Sequence, residues 1–335
     1  MSLESIIKEI NKKYDFTMVT KGIKEDHVTK VPFSSPRLNY MLYGGLPVGR
    51  IVEFSGAEGS GKTTTALDAV KNFQKTFPDK SVLFIDCERT FDVSWAKTLG
   101  VDVESLLVVQ PEEQSAEEIF EIILNLISSG DISLAVLDSL AVMVSAQAYD
   151  KSMEEKTYGG ISQSLTLFSR KLIPILSRTN CTFIGINQVR ENMNSPYGGT
   201  ITPGGKAWKH NCTLRLEFKR GDFYDEKGNR VSQSFENPAG NIINCNIIKN
   251  KVNRSDRKNG FYSLNYITGI DYVSDTIDLA LKYKLISQAG AWYEITDQIV
   301  EGGMKLQGKK SVKTALISNP EIYEVLNETL KEAIE

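Results

Sequence analysis

The stretch Gly56 to Thr64, GAEGSGKTT, constrains the fold of this chain more than any other. Gly56, Gly61, Lys62 and Thr63 fall at the spacing G-x-x-x-x-G-K-T, a phosphate-binding loop in which glycines let backbone N–H groups point inward at phosphate oxygens. Such a loop needs a buried strand before it and a helix after it, because the helix N-terminus adds the positive end of its dipole. Both are present: the apolar run RIVEFSG (50–56) precedes it and a helical pattern over 63–76 follows. Lys62 would reach the β/γ-phosphates and the Thr63 hydroxyl would ligate Mg2+, with Glu58, Gly59, Ser60 and Thr64 completing the cradle.

A strand–loop–helix of this kind implies an α/β chain, and the remaining sequence supplies one. SVLFID (81–86), LLVVQP (106–111), SLAVLDS (133–139) and TFIGINQ (182–188) are short, nearly continuous apolar runs, as strands buried on both faces of a parallel sheet read. Helical patterns lie between them: 115–129, with Ile119, Ile122, Ile123 and Leu126, and 161–178, with Ile161, Leu165, Phe168, Leu172 and Ile175 on one face and a kink expected at Pro174. After residue 205 the pattern alternates, predicting antiparallel strands that extend the sheet. We expect three units: an N-terminal helix and linker (1–30), an ATPase-type core (31–270) and a small C-terminal α+β domain (271–335). The N-terminal helix, 2–14, carries Leu3, Ile6, Ile7 and Ile10 on one face, a stripe that needs a partner surface.

Composition narrows the chemistry. Nothing in the 335 residues approaches the roughly 18 apolar residues of a membrane span. The four cysteines form no C-x-x-C pair and read as buried thiols, and two histidines are too few for a His-based metal centre. A net charge of −3 gives no global pull toward nucleic acid, so any such binding must use local patches.

The candidate site residues sit at strand ends. Asp138 closes LAVLD, where a carboxylate can face Mg2+ through water. Glu88 follows the second strand and reads equally as a carboxylate polarising a water or as a solvated loop acid. Asp86 competes with it but lies within the strand, where a structural hydrogen-bonding role is expected. Gln188 ends FIGINQ, where an amide can sense a γ-phosphate and pass its presence to the long Gly/Pro-rich loop 189–208. A second such loop covers 148–160, and two loops on one sheet edge suggest a ligand-binding face. KNKVNRSDRK (249–258) carries five cations, either a solvated basic turn or strand-end lysines near a nucleotide edge that act across a subunit contact.

From about Val31 to Ile334 the chain resembles the RecA family of DNA recombinases, and its bacterial and phage branch in particular. The resemblance rests on GGLPVGRIVEFSGAEGSGKTT, LFIDCERTFD, LAVLDSLA, INQVR, TPGGKAWK, IIKNKV and LISQAGAWYE. It implies ATP and Mg2+ as cofactors, with Thr63 and Asp138 at the metal. It implies catalytic roles for Glu88, Lys62, Gln188, Lys249 and Lys251, the two strand-end lysines reaching the nucleotide of the adjacent subunit, and stacking of Trp95 on the adenine. Residues 151–159 and 189–205 correspond to the DNA-holding loops, with Tyr158, Gly159, Arg170, Arg190, Met193, Gly204 and Gly205 as contacts. Lys309 and Lys310, with Lys305 and Lys313, resemble a duplex-capturing patch. The implied partners are single-stranded DNA, double-stranded DNA, further copies of the chain in a helical filament docked through the N-terminal helix and FTMVT, and single-strand-binding and loader proteins. The implied location is the cytoplasm of a bacterial cell or a phage-infected host, away from any membrane.

The chain also departs from the family. Arg89 stands where histidine is usual, Glu191 replaces an apolar loop position, Gln163 replaces an arginine, and Glu335 ends the sequence without a long acidic tail. The last feature implies weaker self-inhibition. A ring-shaped motor of the same fold and a non-hydrolysing assembly mediator are the competing readings; the KNK pair and the LISQAGAWY region speak against the first, and intact Lys62, Thr63, Glu88 and Asp138 against the second.

Overall fold

The computed structural model describes residues 2–14, 19, 28–149, 160–191, 200–254 and 256–334. Helix α1 (Leu3–Tyr14) has Glu4 in its first turn and Lys12 and Lys13 in its last, the charge order that complements a helix dipole. Leu3 and Ile6 stay 68% and 41% exposed and Ile7 and Ile10 are half-buried, so among the described residues part of the apolar stripe stays open. The Asn11 amide meets the N–H and C=O of Val19 at 2.9 and 3.0 Å, much as a neighbouring strand would.

A two-rung antiparallel ladder of β1 (Lys30–Val31) and β2 (Leu46–Pro47) brackets α2 (Pro36–Leu42). Ser35 caps α2 and Pro36 opens it, the residue types those positions favour. The strand–helix alternation follows: β3 (Ile51–Gly56), α3 (Lys62–Thr76), β4 (Ser81–Asp86), α4 (Val93–Thr98), β5 (Leu106–Val109), α5 (Ala116–Ser128), β6 (Ile132–Asp138), the single turn α6 (Ala146–Tyr149), α7 (Ser162–Thr179) and β7 (Thr182–Gln188). β3 and β6 are buried at every residue, which is why their sequences are continuous apolar runs. Ser115 and Glu118 form a reciprocal capping box that starts α5. The face of α5 that packs is Ile119, Phe120, Ile123, Leu124 and Ile127, whereas Ile122, expected inside, is exposed. The run IFEIILNLI is apolar on more than one face, and Phe120 and Leu124 win the contact with the sheet. Pro174 lies inside α7, where it withdraws one N–H from the ladder, and the helix runs on to Thr179.

The chain then forms β8 (Arg190–Glu191), β9 (Thr200–Ile201), α8 (Gly205–Asn211), β10 (Leu214–Tyr224), β11 (Arg230–Val231), β12 (Gly240–Asn250), β13 (Asn259–Asn265) and β14 (Gly269–Ile270). The main sheet runs β5-β4-β6-β7-β3-β10-β12-β13-β14, with β11 paired to β10. Every neighbour from β5 to β10 is parallel, and from β10 to β14 every neighbour is antiparallel. Burial along β10 and β12 alternates, as the sequence pattern predicts. Helices α2, α3 and α4 pack in one apolar cluster, and α5, α7 and α8 in another.

Residues 272–334 form α9 (Tyr272–Lys282), an antiparallel sheet of β15 (Ile286–Ala289), β16 (Trp292–Ile295) and β17 (Met304–Gln307), then α10 (Lys309–Ser318) and α11 (Pro320–Ile334). They own a third cluster, which among the described residues only Tyr40 joins from the core side. Polar contacts tie this unit to α2. The Ser35 hydroxyl donates to Asp275 at 2.7 Å, and Arg37 pairs with Asp275 at 3.7 Å and with Asp278. Arg257 stacks on Tyr40 and Tyr43, 4.1 and 3.8 Å from the ring centroids, and donates to the Ile334 carbonyl at 3.2 Å. Part of the basic run 249–258 is therefore structural. Among the described residues, no helix is long and apolar enough to cross a membrane.

Candidate nucleotide and DNA site

Strand register brings the candidate residues to one edge. Gly56 pairs with Gln188 and Asp86 with Asp138, so β3 and β7 end together, two residues beyond β6 and β4, and their following loops face the same space. The phosphate loop leaves β3 where a side chain is impossible: a Cβ on Gly56 would lie 2.4 Å from the Phe218 carbonyl oxygen and 2.5 Å from Ser60 Oγ. Gly61, at φ 88°, then caps α3 without any side-chain hydrogen bond. The first-turn N–H groups of α3 thus have no capping side chain, and the buried Ser60 Oγ has no partner among the described residues. Both features fit a bound polyphosphate.

The side chains around this cradle are already organised. Lys62 Nζ donates to the Ala57 carbonyl at 2.7 Å; burial lowers its pKa, against the opposing charges of Asp138, Glu88 and Glu58. The Thr63 hydroxyl donates to Asp138 Oδ2 at 2.7 Å. Burial pushes the Asp138 carboxyl up to about 6, with the Thr63 hydroxyl pulling down and Glu88 pushing up. Glu58 is exposed, while Thr64 Oγ1 accepts a long contact of 3.4 Å from Trp95 Nε1. Trp95 is half-buried and held there by Asp92, which caps α4 through the Trp95 N–H at 2.9 Å. Among the described residues no three His, Cys, Asp or Glu side chains cluster as a metal cage. Thr63 and Asp138 are the paired oxygen donors beside the loop, a donor set suited to a hard cation that takes its remaining ligands from phosphate and water.

Glu88 is no free loop acid. Its Oε1 accepts from Gln188 Nε2 at 3.1 Å and from the Ser139 hydroxyl, while Oε2 has no partner among the described residues. Asp86 takes the structural role expected of it, accepting from the Thr90 and Phe91 N–H groups at 3.1 and 3.0 Å and from Gln110 at 3.0 Å. Burial, with the charges of Asp86, Asp138 and Glu88, pushes the adjacent Cys87 thiol up to about 12, so it stays protonated at neutral pH. Arg89, at φ 54°, donates to the Pro111 carbonyl at 3.0 and 3.3 Å and so braces this loop against the next.

Lys249 and Lys251 do not share this edge. Lys249 pairs with Arg215 at the far end of β10, about 10 Å along that strand from the rung that joins Cys245, Phe218 and Gly56. Within one subunit they stand at the opposite end of the sheet from the phosphate loop. Lys249 Nζ there donates to the Lys209 and His210 carbonyls, both at 2.7 Å, and Lys251 to His210 at 3.4 Å, closing the C-terminus of α8.

Of the DNA candidates, Tyr158, Gly159 and Met193 lie outside the described residues. Arg190 is exposed on β8, which pairs with β9 to form the base of the second loop. Gly204 and Gly205, at φ 101° and 75°, start α8 against α7: a Cβ on Gly205 would lie 3.4 Å from Ser162 Cβ. The return ends of the two long loops therefore meet. Arg170 is exposed two turns further along α7, as is Gln163 near its start. In the C-terminal unit, Lys309 pairs with Asp278, Lys313 with Asp271 and Lys305 with Glu294 at 3.7 Å; Lys310 is exposed with no ion-pair partner among the described residues. The cluster is less basic than its sequence reads.

Two residues of this edge escape sequence reasoning. Ser139 holds Glu88, and Arg220 on β10 clasps the phosphate loop, its Nε donating to the Gly59 carbonyl at 3.0 Å and Nη2 to Glu58 at 3.4 Å. Ser139 follows a strand-end aspartate and could have been singled out. Arg220 carries no local signal, because the register of β10 against β3 alone brings it there.

Residues 1–271 match the RecA N-terminal domain and residues 274–335 the RecA C-terminal domain. The protein RecA of Fusobacterium nucleatum is 37% identical over 310 residues, 92% of this chain and 77% of that one. The protein RecA of Mesoplasma florum is 36% identical over 338 residues, covering all of this chain and 96% of its own, and that of Leptospira meyeri is 38% identical over 281 residues, 83% and 68% of the two chains.

Proposed function

The chain belongs to the RecA family, and on that footing we propose a division of labour among its residues. It is a DNA-dependent ATPase and homologous recombinase that forms filaments on single-stranded DNA and exchanges strands with ATP. The convergence of Lys62, Thr63, Glu88, Asp138 and Gln188 on one sheet edge carries the residue assignments.

ATP lies with its phosphates in the loop Gly56–Thr64, its adenine against Trp95. Lys62 leaves the Ala57 carbonyl for the β/γ-phosphates. Thr63 and Asp138 would hold Mg2+, which would supply positive charge against the phosphates. Glu88 orients and polarises the attacking water through the oxygen that its two donors leave free. Lys249 and Lys251, pointing away from their own nucleotide, supply positive charge to the γ-phosphate of the next subunit, and Gln188 reports that phosphate to the loop after it. Helix α1 lays its exposed stripe on the neighbouring subunit. Arg170, Arg190, Gly204 and Gly205, with Tyr158, Gly159 and Met193, contact single-stranded DNA, and Lys309 and Lys310 contact duplex phosphates. The units 1–30, 31–270 and 271–335 are the working parts, a division supported by the separate apolar cluster after residue 272.

The test is Glu88→Gln. It keeps both hydrogen bonds to Oε1 and should bind ATP and DNA while hydrolysing about 100-fold slower or worse, giving long-lived filaments. Turnover near the wild-type rate would return Glu88 to a structural role.

A further inference from the structure

Glu53 is a fully buried carboxylate in the middle of β3, three residues before the phosphate loop, and nothing in the hydrolysis scheme uses it. Its Oε1 accepts from Asn187 Nδ2 at 3.0 Å and from Trp208 Nε1 at 2.9 Å, and its Oε2 pairs with Arg215 Nε. Two of these partners continue to the same place. Asn187 Nδ2 also donates to the Pro203 carbonyl at 3.0 Å, and Arg215 Nη2 donates to Thr202 Oγ1 at 3.2 Å. Thr202 and Pro203 follow directly on β9, the returning strand of the second loop's base. Strand β3, strand β7, helix α8, strand β10 and the loop's return end are thus fastened to one buried charge.

An ionised carboxylate inside a sheet is costly unless its lone pairs are satisfied, and an apolar residue there would generally stabilise the fold as well or better. The network therefore calls for a reason beyond stability. Asn187 supplies it by position, since it immediately precedes Gln188, whose amide bonds Glu88. The buried tie makes residue 187 a fixed pivot and ties the outgoing and returning arms of the loop base to the strand that carries the phosphate loop. A displacement of the Gln188 side chain is then delivered to Val189 and Arg190, rather than being absorbed by drift of the whole base.

We propose that Glu53, Asn187 and Thr202 form a positioning device that makes the DNA affinity of the second loop depend on the bound nucleotide. The inference rests on the reading that Gln188 senses the γ-phosphate and that this loop holds single-stranded DNA. None of the three touches the reacting atoms; they act through Gln188 and Arg190.

The experiment measures the affinity of the full-length chain for a fluorescent oligo-dT, once with ADP and once with a non-hydrolysable ATP analogue. Wild type, Gln188→Ala, Asn187→Ala and Thr202→Val are compared, each with its melting temperature and its DNA-free nucleotide affinity. In Asn187→Ala and Thr202→Val the ratio of the two DNA affinities falls about fivefold or more toward one, as it does in Gln188→Ala, while DNA-free nucleotide affinity stays within about twofold. A full wild-type ratio in a folded Asn187→Ala, with the ratio lost in Gln188→Ala, overturns the proposal and leaves the Gln188 reading standing. A full ratio in all three variants overturns both. Should Asn187→Ala fail to fold, Thr202→Val, which keeps its β-branched shape and loses only the Arg215 contact, decides alone by the same criterion.

Discussion

Gln188 and Glu88, 100 residues apart in the chain, meet where β7 and β4 end, the amide of one donating to the carboxylate of the other at 3.1 Å. The bond joins the proposed γ-phosphate sensor to the proposed water-activating acid. Ser139 holds the same Glu88 oxygen from the third strand.

That bond predicts what Gln188→Ala does. The Ser139 hydroxyl still orients Glu88, so DNA-free ATP hydrolysis should fall by about tenfold, the low end of what one hydrogen bond to a charged group is worth. Stimulation by single-stranded DNA should fall further than the basal rate. Steady-state ATPase assays with and without DNA check this, and a uniform fall in both rates would argue against a sensing role.

Lys249 and Lys251 stand at the end of the sheet opposite their own phosphate loop, and under the proposed function their charge serves a nucleotide across a subunit contact. The double variant Lys249→Ala, Lys251→Ala should bind ATP as a monomer with wild-type affinity. Its filament-associated ATP turnover should drop about 100-fold or more. Mixing it with Lys62→Ala subunits separates the roles, because neighbours can then complement one another. Weakened ATP binding by the isolated variant would mean that the lysines act within their own subunit or only close α8.

Asp275 makes the joint between α2 and the C-terminal unit sensitive to pH. Burial pushes its carboxyl up to about 7, with the Ser35 hydroxyl and Arg37 pulling down and Asp271 and Asp278 pushing further up. An ordinary aspartate titrates near 3.9, about three units lower. Between these values the folded state binds more protons than the unfolded one, so stability is present at low pH and is lost as pH rises toward 7. Asp275→Asn keeps an acceptor for Ser35 and removes the titration. Its melting temperature relative to wild type should therefore rise by roughly a few degrees between pH 5 and pH 8. A difference that is constant with pH would show that Asp275 titrates as an ordinary carboxylate.

Much of this could be read from local sequence. Continuous apolar runs located β4 and β7 to the residue, because strands covered on both faces leave no polar position to blur their ends. The phosphate loop was legible for the same local reason, as was the structural fate of Asp86. What escaped depends on partners far away in the chain. Ile122 lost its place inside α5 to Phe120 and Leu124, a choice made by the sheet beneath. Lys305, Lys309 and Lys313 read as a basic cluster until the fold sets Glu294, Asp278 and Asp271 against them. The position of Lys249 opposite the phosphate loop follows from the register of β12 on β10, which no spacing within 249–258 contains.

The account stands most directly on one measurement: ATP hydrolysis by the full-length chain with and without long single-stranded DNA, run beside Lys62→Ala. It predicts that DNA raises the wild-type rate many-fold and that the variant, lacking the charge aimed at the phosphates, stays at background under both conditions. A wild-type rate indifferent to DNA while ATP still binds, or a Lys62→Ala variant that turns over ATP normally, would contradict it.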